Sequence, residues 1–168
     1  MAIPGLFVEY LVNGAVALVW AYPLLLSAGI TKIENPLLPL YALGLYVLGM
    51  MIDFVAWIVT RPVKRFLRRR IAQSYKADVD QQPGSSTGRQ VKFSIYAPEL
   101  ARENAMRSSR DRIARGSFIN AILATIIVLP LTIGIPISIF TFAMWWGFES
   151  VSYKFELKAE QAIKGKLS

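Results

Sequence analysis

The chain has 168 residues, of which 54% are hydrophobic and 18% charged, and its net charge is +8. Soluble domains are nearer 45 to 50% apolar, so a water-soluble globule is excluded as the starting class. The sequence contains no Cys and no His, which removes disulfides, thiolate nucleophiles, zinc or haem sites built on those ligands, and the commonest general base. We therefore expect an integral membrane protein that is not an enzyme and that binds no metal ion or cofactor.

Two apolar runs come first, at residues 11–30 and 37–60. An α-helix of about 20 residues crosses a hydrocarbon core of about 30 Å, and each run reaches that length. A polar turn at residues 32–36 separates the runs, and Arg61 with Pro62 closes the second. No Lys or Arg precedes the first run, whereas Glu9 does, which argues against a signal peptide. Residues 1–60 therefore predict a transmembrane helical hairpin.

A third apolar run, residues 116–148, has 33 uncharged residues and would measure about 50 Å as one straight helix. Pro130, Gly134 and Pro136 predict a break, because each proline removes a backbone donor and clashes with the preceding turn. Two readings follow from this break. The run forms either a membrane hairpin or one tilted, kinked span, and we favour the hairpin because of the charge distribution described next.

Positive charge is concentrated between the second and third runs. Residues 61–115 carry fourteen Lys or Arg against five acidic residues. The positive-inside rule places such a segment in the cytoplasm, together with the N-terminus. A hairpin in the third run also returns the lysine-containing tail, residues 149–168, to the cytoplasm, whereas a single span exports it. We expect the cell inner (cytoplasmic) membrane as the location.

Three strongly polar side chains fall in the first two predicted helices, namely Glu9, Asn13 and Asp53. Ionisable groups at membrane depth mark functional or structural contacts. If the turn centres near residue 33, Asn13 and Asp53 lie at the same depth, and we predict a hydrogen bond between them. We interpret this contact as structural, since a proton or ion relay requires a longer chain of titratable groups.

A basic amphipathic helix is predicted directly after the second run, because apolar side chains recur there at spacings of three and four. Its cations are predicted to bind anionic lipid headgroups or an acidic partner. Nucleic acid is a possible partner that we do not favour. The cations are Arg61, Lys64, Arg65, Arg68, Arg69 and Arg70.

Beyond this helix the pattern predicts a flexible loop at 78–90, a short strand at 91–95, a polar helix at 98–115 and a helical tail from residue 149 that extends from the third run. The sequence as a whole predicts an all-α integral membrane protein with a basic cytoplasmic segment at 61–115. We expect a non-catalytic scaffold or accessory subunit of a larger membrane complex. The expected partners are membrane lipids and other membrane subunits or copies of the chain itself.

Two other functions stay open at this point. The polar positions and the broken third run are also compatible with a small oligomeric transporter or channel. The basic cytoplasmic face is compatible with a component of a secretion or DNA-transfer machine.

Overall fold

The computed structural model describes residues 3–29, 38–74 and 93–167. These residues form four long helices: α1 (Ile3–Ser27), α2 (Leu38–Ser74), α3 (Pro98–Ile127) and α4 (Leu131–Leu167). The described part of the chain contains no strand, which confirms the all-α class. The strand predicted at 91–95 is wrong for its described part, since residues 93–96 are helical. The polar turn at 32–36 and the loop at 78–90 lie outside the described residues.

Three of the helices are long and apolar enough to cross a membrane: Phe7–Ser27, Tyr41–Ser74 and Leu131–Ile163. At most 22% of the residues in these apolar windows are buried inside the protein. Most of their side chains therefore face outward, where only an apolar environment or another protein surface can accept them. This pattern is that of a membrane protein with transmembrane helices.

Prolines interrupt the helices less than the sequence predicts. Pro62 lies inside α2, which continues to Ser74, and Pro136 lies inside α4 together with Gly134. The interruption in the third apolar run is confined to residues 128–130. There the carbonyl of Pro130 accepts hydrogen bonds from the amides of Ile133 and Gly134, at 3.0 and 2.9 Å, and so begins α4. The expected participation of Gly134 and Pro136 in the break is wrong, because a membrane helix tolerates a proline that removes one donor.

Polar and apolar stretches are joined within single helices. The predicted polar helix at 98–115 continues without interruption into the apolar run, so that α3 extends to Ile127. Likewise α4 continues from its apolar half through the polar tail, as the pattern predicts. By contacts, the chain divides into two compact units that each draw on two stretches of sequence. Unit 1 comprises residues 1–60 and 112–145, and unit 2 comprises residues 61–111 and 146–168.

In unit 1, glycines set the register between α1 and α2. A Cβ atom on Gly14 would clash with the backbone carbonyl of Leu45, and one on Gly49 would clash with that of Tyr10. The two backbones therefore touch at both places, which gains dispersion energy where hydrophobic burial gives none. Beside them the ring of Tyr46 stacks on that of Phe7 and meets that of Tyr10 edge-on.

The apolar halves of α3 and α4 contact each other in the same unit. The hydroxyl groups of Thr125 and Ser138 lie 3.3 Å apart, and Gly134 leaves no room for a Cβ beside Thr125. Toward the other end of the contact, the ring of Phe118 lies against those of Phe142 and Trp145, with centroid distances of 5.2 and 6.4 Å. Positions that rise along α3 thus meet positions that fall along α4, as in an antiparallel pair.

Unit 2 contains two small apolar clusters. The first joins α2 to α4 through Leu67, Ile71 and Ala72 against Tyr153 and Leu157. In the second cluster Phe93, which is 1% exposed, packs against Ala159 and Ile163 of α4. These clusters use one face of α4 and leave its opposite face exposed.

Replacing Gly14 or Gly49 by Ala should destabilise the α1–α2 contact by about 1 to 3 kcal/mol, because the added methyl group meets a backbone carbonyl that cannot move aside. Gly44→Ala is the matched control on α2, since a Cβ there has open space. It should be neutral or slightly stabilising. Reversible unfolding of the detergent-solubilised protein would measure these differences. Equal losses at all three positions would refute this account of the register.

Candidate functional site

Two arginines of α3 bind the two acidic side chains of the first two helices in unit 1. Arg112 Nε donates to Glu9 Oε2 at 2.5 Å, and a second nitrogen of the same guanidinium donates to Oε1 at 3.2 Å. Arg115 Nη2 donates to Asp53 Oδ1 at 2.5 Å. Arg112 and Arg115 are three residues apart and therefore share one face of α3. This face holds α1 and α2 at once.

These charges are largely removed from solvent. Glu9 is 3% exposed and Arg115 is 5% exposed. For Arg112, burial disfavours the charged guanidinium, but the hydrogen bond and negative charge of Glu9 outweigh it, so the pKa of Arg112 is raised above its ordinary value. Arg112 therefore stays cationic beside Glu9. We call the two pairs together the arginine clasp.

One turn beyond the arginine clasp, Asn120 ties α3 to α1 a second time. Its amide nitrogen donates to the backbone carbonyl of Asn13 at 3.0 Å, and its amide oxygen accepts from Trp20 Nε1, also at 3.0 Å. Asn120 is 1% exposed, so both bonds are shielded from water. A buried amide gains from such bonds because its alternative is a polar group without a hydrogen-bond partner.

The predicted hydrogen bond between Asn13 and Asp53 is wrong. Asp53 is bound to Arg115, while the side-chain oxygen and nitrogen of Asn13 have no hydrogen-bond partner in the described chain. The glycine contacts explain the error, because they place Asn13 opposite residues 45–49 of α2, about two helical turns from Asp53. The Asn13 amide instead lies against Gly116, where a Cβ atom would clash with it.

Unit 2 contains a ladder of five charges that alternate in sign. Lys64 Nζ lies 3.1 Å from Asp111 Oδ2 and 2.7 Å from Glu149 Oε2. Arg68 Nε then donates to Glu149 Oε1 at 2.5 Å, and a second nitrogen lies 3.7 Å from Glu156 Oε2. The three acids are each at most 8% exposed. We call this arrangement the charge ladder; it joins α2, α3 and α4 within unit 2.

The charge ladder changes the interpretation of the predicted basic helix. Lys64 and Arg68 were expected to meet lipid or an acidic partner molecule, but they point inward to acids of the same chain. Arg68 also lies over the ring of Tyr153, with its guanidinium carbon 4.8 Å from the ring centroid. The exposed cations of this helix are Arg61, Arg65, Arg69 and Arg70.

Sequence reasoning did not assign the residues that bind Glu9 and Asp53. Arg112 and Arg115 were counted only as part of the cytoplasmic positive charge, although they stand immediately before an apolar run. Their spacing of three residues, next to two unpaired acids in the preceding spans, was the signal that could have identified them. No comparable signal predicted that Asp111, Glu149 and Glu156 would converge on Lys64 and Arg68.

Comparison with protein-family models, with curated proteins and with solved structures gives no match. The roles of the arginine clasp and the charge ladder are therefore inferred from their residues alone. In the described part of the chain, no group of three or more acidic side chains is arranged to hold a metal ion. In the charge ladder each carboxylate is followed by a cation, which is the arrangement of a structural ion-pair network.

Replacing Arg115 by Leu should destabilise unit 1 by about 3 kcal/mol, because it leaves the Asp53 carboxylate, whose side chain is 16% exposed, without its arginine partner. The matched control is Arg107→Leu, which breaks a more exposed pair with Glu103 four residues away on α3. That change should cost less than about 1 kcal/mol. Unfolding of the purified protein in detergent would measure both. A cost for Arg115→Leu as small as that of the control would contradict a structural role for the arginine clasp.

Glu149→Gln should weaken the charge ladder more than Glu156→Gln, because Glu149 binds both of its cations, at 2.7 and 2.5 Å, whereas the contact of Glu156 with Arg68 is longer, at 3.7 Å. We expect a cost of about 3 kcal/mol or more for Glu149→Gln, the range for breaking a buried pair. Hydrogen exchange of residues 61–74 and 146–163 would report the loss locally. The reverse order of the two variants would show that the ladder is not centred on Glu149.

Proposed function

We propose that this protein is a non-catalytic integral membrane scaffold or accessory subunit of a larger membrane complex. The observation that carries the proposal is the arginine clasp. Glu9 and Asp53, the acids of α1 and α2, are each bound by an arginine of the same chain. Charges used in this way hold helices together and are not available to a moving ion or proton.

Outward faces give the proposal its second support. On α2 the exposed positions include Met51 and Phe54, and on α4 they include Ile139 and Phe140, each more than 60% exposed. Lipid chains or apolar faces of neighbouring subunits can cover such side chains. A subunit needs surfaces of this kind, whereas a catalyst needs a constellation of acid, base and nucleophile.

The favoured topology is a second membrane hairpin formed by α3 and α4. The contacts of Thr125 with Ser138 and of Phe118 with Trp145 support antiparallel helices on either side of the turn at 128–130. With Pro136 inside an unbroken helix, the apolar half of α4 measures about 27 Å to Phe148, close to a full crossing. In this topology both chain ends lie on the side of the basic segment, which the positive-inside rule makes cytoplasmic and which indicates an inner membrane.

A transporter or channel is the main competing function, and the ion pairs weigh against it. Its polar candidates, Glu9 and Asp53, are buried in contacts with Arg112 and Arg115. A component of a secretion or DNA-transfer machine stays within the wider class of complex subunits. Nothing in the site singles out that process.

Site-specific photocrosslinking would test the subunit proposal. A benzophenone amino acid replaces, one at a time, the exposed side chains Met51, Phe54, Ile139 and Phe140 in the full chain in its native membrane. We expect discrete protein adducts from at least one of the two helix faces. The matched control is Trp145, an aromatic residue that is 0% exposed and contacts the rings of Phe118 and Phe142, which should give no adduct larger than the chain. Lipid adducts alone at all four exposed positions would contradict the proposal.

A further inference from the structure

Unit 2 separates its charges by sign between interior and surface. Asp111, Glu149 and Glu156 are buried in the charge ladder with two cations. Among the other described acids of unit 2, Glu99 is exposed, and Glu103 and Glu160 are half-buried. Eight cations of the unit are exposed: Arg61, Arg65, Arg69, Arg70, Arg102, Arg110, Lys154 and Lys158. The surface is therefore more basic than the sequence balance of the segment suggests.

One part of this basic surface continues an apolar stripe of the same helix. On α2 the outward positions Val55 and Ile58 are 43% and 50% exposed, and Arg65 and Arg69 follow them at helical spacing on the same face. No proline break separates the two halves, because α2 passes through Pro62. A single face of one helix thus turns from apolar to cationic within about two turns.

An aromatic ring lies among these cations. Phe66 is 51% exposed, and the guanidinium carbon of Arg70 lies 4.7 Å from its ring centroid. Exposure of an aromatic ring to water is unfavourable. At the boundary between lipid headgroups and acyl chains the ring can contact acyl chains while the neighbouring arginines bind headgroups. A nucleic-acid surface needs the cations without the ring or the adjoining apolar stripe. The occupant that fits all three features is a phospholipid with a net negative charge.

We infer that Arg65, Phe66, Arg69 and Arg70 on the outward face of α2 form a binding surface for anionic lipid headgroups, at the edge of the membrane that the apolar half of α2 enters. The inference rests on the proposed membrane location. It replaces the predicted set of six cations, because Lys64 and Arg68 are used internally. Guanidinium groups bind phosphate through paired N–H donors, and each cation near a charged membrane surface adds to the affinity.

The test uses the full chain reconstituted in vesicles of phosphatidylcholine with 30% phosphatidylglycerol, a proportion of about one anionic lipid in three that gives a negative surface. Spin-labelled lipids of each type report the selectivity of the protein for phosphatidylglycerol. Arg65→Gln/Arg69→Gln should lower that selectivity at least about fivefold. The matched control, Arg102→Gln/Arg110→Gln, removes two exposed arginines from α3 and should leave most of it.

Equal losses in the two double variants would overturn the inference in favour of a diffuse field, and unchanged selectivity in Arg65→Gln/Arg69→Gln would overturn it outright. Salt-sensitive binding of duplex DNA that disappears in the same variant, without any lipid preference, would assign the surface to nucleic acid instead. A nitroxide label on Val55→Cys in this Cys-free chain distinguishes failure of the lipid-binding inference from failure of the membrane proposal. If the label at Val55 is accessible to oxygen dissolved in the lipid but the protein shows no selectivity for phosphatidylglycerol, only the lipid-binding surface is rejected. If the label is exposed to water, the membrane proposal itself is rejected.

Discussion

A charged side chain in an apolar helix bundle is stable only when an opposite charge meets it, and this constraint organises unit 1. Glu9 on α1 is buried and Asp53 on α2 is largely buried, so both carboxylates are stabilised by cations from elsewhere in the chain. Arg112 and Arg115 supply them from a single face of α3. That face holds α3 against both α1 and α2. It also explains how a polar stretch of α3 packs in the interior of the helix bundle.

The same principle has a different consequence in unit 2. There three acids are buried in the charge ladder, and the cations of α2 divide into two groups: Lys64 and Arg68 turn inward, whereas Arg61, Arg65, Arg69 and Arg70 are exposed. Because three acids are paired in the interior of unit 2, its surface is left with an excess of positive charge. Structure and surface recognition are linked, because any change that freed Glu149 or Asp111 would alter the exposed balance as well as the packing.

Helix type and membrane character could be predicted from the sequence because both depend on composition over many residues. The lengths of the first two apolar runs predicted two of the three helices that are able to span a membrane, and the tail pattern predicted that α4 would continue past Phe148. Local rules were less reliable. Proline was expected to end α2 at Pro62 and to extend the break to Pro136, but both residues lie inside helices, since the loss of one donor is tolerated within a packed membrane helix.

Pairing between distant residues was the part that sequence reasoning missed. A turn centred on residue 33 gave the same depth to Asn13 and Asp53, but the register depends on where Gly14 and Gly49 allow backbones to touch. The sequence also led us to assign each charged residue the role of the segment in which it stands. Arg112 and Arg115 were grouped with the other arginines of the basic segment, although their spacing of three residues, immediately before an apolar run, sets them apart.

A double-mutant cycle across Asp53 and Arg115 tests the central claim most directly, because it isolates the pair from the cost of each side chain. The unfolding free energies of the wild type, Asp53→Leu, Arg115→Leu and the double variant would be measured in the same detergent. The claim that this pair holds α2 to α3 predicts a double variant less destabilised than the sum of the singles, with a coupling of about 2 to 3 kcal/mol. Additive losses, with no coupling between the two positions, would contradict it.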